Sequence, residues 1–342
     1  MIVTIERVGR YTMTFKNPPN IEGSASVCGK KEGEGPLGKE FDEIFNDSRL
    51  GEESFEKAES KLQTQAVKLA IKKSRIQASD IDVIFSGDLL NQCLSSTFGL
   101  RELNIPFLGQ FGACSTMAQT LTLASIMVAS GAADYSVAAT SSHFCAAERQ
   151  YRFPLEYGCQ RFQTAQWTVT GSGAAVVGKS GQIPFVRGVT VGKIVDLGVK
   201  DTTNMGAAMA PAAADTLKNF LLDTKTQPED YDLILTGDLG EVGSRLLKEI
   251  LSREGIKLSD NHKDCGLMIF DQERQDVHAG GSGCGCSGSV LCSAIFNKMR
   301  AKRINNLLFM ATGALMSPVS SQQGESIPSI AHLVWLDNNA QK

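Results

Sequence analysis

Ten residues, D-I-D-V-I-F-S-G-D-L at positions 80–89, decide the fold because the chain repeats them. At positions 230–239, which lie 150 residues further on, it reads D-Y-D-L-I-L-T-G-D-L. Both copies have the pattern D-x-D, three apolar residues, Ser or Thr, and then G-D-L. An apolar run that enters a glycine turn is typical of a buried β-strand. The two copies therefore predict equivalent strands in two related halves of the chain.

A second pair of matching segments extends the repeat. Cys114 is followed by a helix-like stretch, an apolar strand and Thr140, and Cys286 is followed by the same succession ending at Thr312. The distance from cysteine to threonine is 26 residues in both copies. Two matched blocks in the same order indicate a duplicated α/β unit.

Helices are expected ahead of each repeated strand. Apolar residues recur at helical spacing over positions 55–69, and positions 212–222 hold the corresponding place in the second half, with Pro211 in a first helical turn. Strands that alternate with helices predict mostly parallel sheets covered on both faces. We place the boundary near residues 178–190, so that the predicted halves are residues 1–180 and 181–342.

Composition narrows the classes of function. The 342 residues carry a formal net charge of −3, which argues against a nucleic-acid-binding protein because such a protein needs a basic field. The basic residues are dispersed, so no polybasic membrane patch stands out. No signal peptide or membrane-spanning stretch is recognisable. The nine cysteines are an odd number in a chain that needs no disulfides, which predicts reduced thiols and an intracellular, soluble protein.

The segment F-G-A-C-S-T at positions 111–116 is the first candidate site. It brings Cys114 from a strand to the start of a helix, which Ser115 or Thr116 would cap. A cysteine at the positive end of a helix has a lowered pKa and is suited to nucleophilic attack. The exposed N–H groups could equally bind an anion without chemistry. A cysteine packed in a tight turn is the third interpretation.

The equivalent turn of the second half is rich in glycine, G-G-S-G-C-G-C-S-G at positions 280–288. So many glycines allow the backbone to approach closely either a ligand or the other half of the chain. The C-x-C spacing does not predict a zinc site, because no second ligand pair accompanies it. A disulfide between Cys284 and Cys286 is sterically poor. We predict no metal site.

A third segment, positions 140–157, follows the strand that carries Thr140. His143 is expected at the carboxyl end of that strand, where parallel sheets bind ligands. Arg149 and Arg152 could hold a carboxylate. Alternatively, both arginines form structural ion pairs with Glu148 and Glu156. His278, just ahead of the glycine run, could also line a site.

These features together resemble the thiolase-like superfamily of thiolases and ketoacyl synthases. A-C-S at positions 113–115 matches the position of the family's nucleophilic cysteine. Positions 281–288 resemble the thiolase motif G-H-P-x-G-x-S-G, of which Gly281, Gly285, Ser287 and Gly288 are retained. The resemblance implies a thiolase-like α/β fold, with two pseudo-symmetric halves in a layered αβαβα arrangement. Because the superfamily commonly dimerises through the first half, it also implies a possible homodimer.

Departures from the superfamily pattern argue against catalysis. Ser282 replaces the histidine that activates the cysteine in thiolases, and Ala311 replaces their second catalytic cysteine. Asp238 follows Gly237 where ketoacyl synthases carry a histidine. Condensation needs a base for the thiol and groups that stabilise an enolate, and these residues supply neither. The resemblance therefore predicts a retained fold and a lost catalytic set.

Longer blocks resemble one family, the stage V sporulation protein AD family of Bacillus- and Clostridium-type spore formers. The blocks, in order, are FGACST, ATSSH, AERQYRFPLEYG, TVTGSGAAVV, MAPAAADT, LTGDLGEVGS, DCGL and AGGSGCGCS. The resemblance implies binding of dipicolinic acid, or of its calcium chelate, during uptake into the developing spore. It also implies work with membrane proteins of the same operon, with the chain associated peripherally with the forespore or spore inner membrane. No cofactor is expected beyond calcium within the chelate.

Dipicolinate is a flat pyridine with two carboxylates, and a relict acyl pocket with helix N-termini and nearby Arg or Ser donors would suit it. We predict that the ligand-binding residues are Cys114, Ser115, His143, Met209, Ala210, Asp238, Ser282 and Cys284. Positions 209–213 enter this set because they are expected to open the helix of the second half. Two alternatives stay open: an acyl-CoA-dependent condensing enzyme that uses Cys114, and a scaffold of the membrane complex with a vestigial pocket.

Overall fold

The computed structural model describes residues 4–151 and 161–340. The strands are β1 (Ile5–Val8), β2 (Thr12–Phe15), β3 (Asn20–Gly29), β4 (Glu43–Phe45), β5 (Val83–Gly87), β6 (Phe107–Gly109), β7 (Ser136–Ser142), β8 (Trp167–Thr168), β9 (Gly171–Gly178), β10 (Phe185–Val191), β11 (Leu233–Thr236), β12 (His262–Asp264), β13 (Gly281–Ser282), β14 (Asn306–Ala314) and β15 (Ser329–Asp337). The helices are α1 (Lys30–Gly33), α2 (Phe55–Ser74), α3 (Leu94–Leu100), α4 (Thr116–Ser130), α5 (Phe144–Tyr151), α6 (Met205–Thr224), α7 (Gly240–Arg253), α8 (Cys265–Ile269), α9 (Cys284–Val290), α10 (Phe296–Arg300) and α11 (Pro318–Gln322). A π-helical turn, Leu291–Ile295, joins α9 to α10.

Each half contributes five strands in the same order. The first half is arranged β6-β5-β7-β9-β3 and the second β12-β11-β14-β15-β10. In each, the first three strands are parallel, and the fourth runs antiparallel to both of its neighbours, so that half of the strand pairings are antiparallel. The sheets are thus mixed, and the expectation of mostly parallel sheets was wrong. Strands buried on both faces have the same apolar composition whichever way they run, so their sequences do not reveal the direction.

The elements form five layers in the expected αβαβα order. Helix α2 covers the outer face of the first half-sheet, α6 and α7 cover the outer face of the second, and α4 and α9 lie between them. Side chains alternate accordingly. Val137 and Ala139 of β7 pack outward against α2, whereas Ala138 faces the central helices. In β14, Leu308 packs outward and Phe309 inward.

The duplication extends to the helices that precede the repeated strands. Helices α2 and α6 are both 20 residues long, and their first residues are Phe55 and Met205. The prediction that Pro211 lies in the first turn of α6 was wrong, because the helix begins at Met205 and the proline lies inside it. Asn204 caps the helix instead, as its side chain accepts a hydrogen bond from the N–H of Ala207 at 3.2 Å.

The glycine run packs against the other half, which decides between the two predicted reasons for it. A Cβ atom on Gly173 of β9 would lie 2.1 Å from the carbonyl oxygen of Gly288 in α9. A Cβ atom on Gly285 would lie 2.3 Å from the carbonyl oxygen of Gly171. Only glycines allow the central helix of the second half to approach the strands of the first so closely.

One helical segment in the described ranges, Ala113–Ser130, passes a length and composition test for crossing a membrane. Of that segment, 67% is buried inside the fold, where it forms the central α4 layer. Its apolar composition is that of a core helix.

Candidate functional site

A cavity opens between the two halves beside Cys114. Its lining among the described residues is Leu89, Ala113, Cys114, Ala147, Glu148, Tyr151, Thr168, Met205, Met209, Ser282, Ala314 and Met316. The cavity volume is about 70 Å³. A water molecule needs roughly 10–15 Å³ on the same measure, so the space corresponds to about five waters, or on the order of 150 Å³ of liquid. That is room for a single-ring compound.

Cys114 reaches the cavity through a strained turn. Ala113 has a left-handed φ of +49°, and a 3₁₀ turn over Ala113–Ser115 leads into α4. Cys114 remains partly accessible, while Ser115 is buried. The Ser115 hydroxyl donates to the Gly112 carbonyl at 2.7 Å, and that of Thr116 to the Ala113 carbonyl at 2.6 Å. The predicted cap of α4 by Ser115 or Thr116 was therefore wrong, because both hydroxyls are used inside the turn.

The surroundings of Cys114 raise the pKa of its thiol. Burial raises its pKa well above the usual value of 9.0, and the neighbouring Asp238 carboxylate and Cys284 raise it further. The prediction of a lowered pKa was wrong, because the partial charge of a helix terminus is smaller than the cost of placing a thiolate in a desolvated site beside a carboxylate. The cysteine is a neutral thiol at physiological pH.

Asp238 lies directly behind the cavity wall and is fully buried. Its Oδ2 accepts hydrogen bonds from the N–H of Gly283 at 2.9 Å and from the hydroxyl of Ser282 at 3.3 Å. Its Oδ1 accepts one from the hydroxyl of Thr312 at 3.2 Å. The thiol of Cys114 is a further hydrogen-bonding partner. Asp238 therefore connects the Cys114 turn, the glycine-rich turn and strand β14.

The repeat partner of Asp238 has a different role. Asp88 accepts hydrogen bonds from the N–H groups of Leu90 and Ser96, at 2.9 and 2.8 Å, and so holds the start of α3. In the second half the equivalent task belongs to Asp264, which accepts from the N–H of Leu239 at 2.8 Å. Asp238 is therefore not used at the start of a helix, and its carboxylate accepts hydrogen bonds from Ser282 and Gly283 instead. Burial raises its pKa to about 7, and the charge of Asp264 also acts in that direction.

The structure brings part of the predicted residue set together. Cys114, Met209 and Ser282 line the cavity. The Cys284 thiol donates to the Ser141 carbonyl at 2.9 Å and packs beside the cavity. Ala210 is buried and does not belong to the lining.

His143 lies in a separate groove. Its Nε2 is 2.7 Å from the carbonyl oxygen of Ser48, and its ring packs against Phe55. Arg149 forms an ion pair with Glu56, which favours the structural interpretation for that arginine. The interpretations of Arg152 and Glu156 fall on residues outside the described ranges.

Sequence reasoning missed most of the apolar wall. Met205, Ala314 and Met316 belong to no motif, and Leu89 was noted only as the last residue of the repeated strand segment. Only the tertiary fold brings these side chains to Cys114. Tyr151 donates its hydroxyl to the Leu89 carbonyl, and so joins the first half's glycine turn to α5. Arg149 does not belong to the described lining, whose charged member is Glu148. The described wall is thus mostly apolar, with a few hydroxyl and thiol groups and the carboxyl group of Glu148.

The described ranges contain no group of three or more His, Cys, Asp or Glu side chains arranged to hold a metal ion. The eight cysteines within those ranges, which include Cys284 and Cys286, are free thiols.

The similarity to known proteins extends over nearly the whole chain. The family model of stage V sporulation protein AD matches residues 9–337. Stage V sporulation protein AD of Bacillus subtilis (strain 168) is 46% identical over 324 residues, 95% of this chain and 96% of the relative. The fold is similar to that of 3-oxoacyl-[acyl-carrier-protein] synthase III from Aquifex aeolicus VF5, with a TM-score of 0.57 and 13% identity over 93% of this chain and 99% of the other. A variant of OleA from Xanthomonas campestris has a TM-score of 0.60 and 12% identity over 98% and 100% of the two chains.

Proposed function

The chain belongs to the stage V sporulation protein AD family, and from that premise we propose that it binds dipicolinic acid, or its calcium chelate, without catalysing condensation. The binding would serve uptake of dipicolinate into the developing spore and would link the protein to sporulation and germination. Its partners would be the membrane proteins of the same operon, with the chain peripheral to the spore inner membrane. Co-purification with those membrane proteins tests the partnership.

The cavity beside Cys114 is the observation that supports this proposal most directly. It is small, and apolar side chains from both halves surround a few hydroxyl and thiol groups and the carboxyl group of Glu148. An apolar pocket with a small number of placed polar groups is typical of sites for small molecules. A flat aromatic ring matches both the volume and the wall, and the Ser282 hydroxyl and Cys114 thiol can donate to its carboxylates.

The chemistry of Cys114 supports a non-catalytic role. Nucleophilic attack needs a thiolate, and a thiol with a pKa well above 9.0 is less than about 1% ionised at pH 7. Its neighbour at the position of the family's base is Ser282, which takes up no proton. A condensing enzyme remains the second candidate because the fold retains Cys114 at the cavity. Transfer of an acetyl group from acetyl-CoA to Cys114, seen by mass spectrometry, would establish it.

Calorimetric titration with dipicolinate tests the proposal, once in EDTA and once with calcium. We expect saturable binding that Met209→Trp abolishes, because the indole would fill the cavity. Leu222→Trp is the matched control, since Leu222 lies on the same helix and is 63% exposed. Thermal unfolding of both variants verifies folding. Absence of binding by the unchanged protein in both buffers would favour the scaffold alternative.

We also propose a homodimer formed through strand β6. This strand ends the first half-sheet, so one row of its backbone groups faces outward. Phe98, Leu108 and Phe111 beside it are 52%, 50% and 46% exposed. Exposed apolar side chains on an unpaired edge favour pairing with another strand, and a second copy offers the same surface by two-fold symmetry.

Light scattering on a sizing column tests the dimer. Leu108→Lys with Phe111→Lys is expected to give a monomer, because the charges would be buried in the interface. Val319→Lys, at a residue that is 63% exposed in the second half, is the control and should leave the mass unchanged. A monomeric unchanged protein, or a double variant that stays dimeric, would contradict this interface.

A further inference from the structure

We propose that Asp238 is a proton-dependent positioning residue, which directs the donors of the cavity wall toward an anionic ligand only when its own carboxyl is protonated. The ligand is then bound together with one proton. This inference rests on the proposed function and adds its regulation and its selectivity for charge.

The ionised carboxylate of Asp238 accepts hydrogen bonds from the same donors that the ligand needs. Ser282 and Thr312 both have their hydroxyl oxygens within hydrogen-bond distance of Asp238, at 3.3 and 3.2 Å. The thiol of Cys114 is a further partner. Ser282 and Cys114 are also members of the cavity lining. While Asp238 is charged, the hydrogens of these two groups point away from the cavity, and their lone pairs and the buried charge face an entering carboxylate.

Protonation reverses this arrangement. A neutral carboxyl with its proton on Oδ1 still accepts the N–H of Gly283 through Oδ2, at 2.9 Å, and donates its own hydrogen to Thr312. Hydroxyl and thiol hydrogens rotate freely, so Ser282 and Cys114 can then donate into the cavity. The change needs no backbone movement.

The surroundings of Asp238 favour the protonated form of its carboxyl group up to near-neutral pH. Asp238 is fully buried, and no Lys or Arg hydrogen bond or ion pair to it occurs among the described residues. Titratable groups from every adjacent element face it: Cys114, Asp264, Cys265, Cys284 and Cys286. Burial raises the pKa of each of these thiols and raises that of Asp264 to about 6, so Asp264 is the neighbouring charge above that pH, and Glu148 is the other carboxyl at the cavity. The pKa of about 7 agrees with a carboxyl that exchanges its proton in this range.

Titrations with dipicolinate in EDTA between pH 6 and pH 8.5 test the switch. With a pKa of about 7, the affinity of the unchanged protein should fall roughly tenfold from pH 6 to pH 8, since only the protonated form binds. Asp238→Asn is always neutral, so its affinity should stay constant within about twofold over this range. Glu148→Gln is the control for the second carboxyl and should keep the tenfold fall.

A measurement on the unchanged protein makes the test independent of any variant. Titrations at pH 8 in buffers of different ionisation enthalpy give the number of protons taken up, which should approach about one per ligand. A flat affinity profile without proton uptake, or a profile that Glu148→Gln flattens instead, would overturn the role of Asp238 and leave the binding function intact. No binding at any pH would overturn both.

Discussion

Replacing Asp238 with asparagine is expected to stabilise the protein, and to do so more at pH 8 than at pH 5. Burial raises the pKa of Asp238 from 3.8 to about 7. The folded state therefore binds this proton more tightly than the unfolded chain does. Its contribution to stability is complete below pH 4 and is lost as the pH rises to 7. Asparagine has no proton to lose and avoids this loss.

The magnitude follows from the shift. About three pKa units correspond to about 4 kcal/mol of unfolding free energy in full. Between pH 5 and pH 8 the part that is lost is about 2–3 kcal/mol. The geometry tolerates the amide, because its oxygen can accept from the N–H of Gly283 and the hydroxyl of Ser282, and the hydroxyl of Thr312 can rotate to accept from its NH₂ group.

Asp88→Asn is the matched control supplied by the repeat. The carboxylate of Asp88 accepts from two backbone N–H groups, those of Leu90 and Ser96, one on each oxygen. A backbone N–H cannot turn to accept, so the amide would leave one of them unpaired in a buried position. This variant should lose about 1–3 kcal/mol at pH 5, and since burial raises the pKa of Asp88 as well, the loss should shrink as the pH rises.

Urea unfolding of the three proteins at pH 5, 6.5 and 8, followed by circular dichroism, measures these differences. The gain of Asp238→Asn over the unchanged protein should grow steadily with pH. A gain that stays the same from pH 5 to pH 8 would refute the assignment of a proton to this carboxyl. Destabilisation by Asp238→Asn at every pH would show that the carboxylate is structural, as in Asp88.

Further predictions concern reactivity and packing. Iodoacetamide at pH 7.5 should modify Cys114 at least ~10-fold more slowly than free cysteine, and faster in Asp238→Asn, as followed by mass spectrometry of the peptide. Leu62→Ala, at a fully buried residue of α2, should cost about 2–5 kcal/mol in urea unfolding, whereas Leu222→Ala, 63% exposed, should cost less than about 0.5 kcal/mol. Gly173→Ala should lower the melting temperature severely or prevent folding, because its Cβ would meet the backbone of α9 at 2.1 Å, and normal melting would contradict that contact.

The repeat made much of the fold predictable. Strands β5 and β11 begin at Val83 and Leu233, the same 150 residues apart as the matched segments. Because each segment occurs twice, two stretches of sequence support each predicted element, and the strands and central helices were predicted well. Where we relied on a local signal instead, as with Pro211, the boundary was wrong. Strand direction was not predictable either, since the apolar pattern is the same for both directions.

The sequence by itself determined the duplication, the cysteine at the head of a central helix and the loss of the family's histidine and second cysteine. Only the tertiary structure decided what surrounds that cysteine. Asp238, Ser282 and Thr312 are distant in the chain, and no local pattern records that they meet behind Cys114. The pKa of a thiol depends on burial and on the charges around it, and both come from the packing of the two halves. The segment that predicted a nucleophile therefore places a thiol with a raised pKa in the wall of a small cavity.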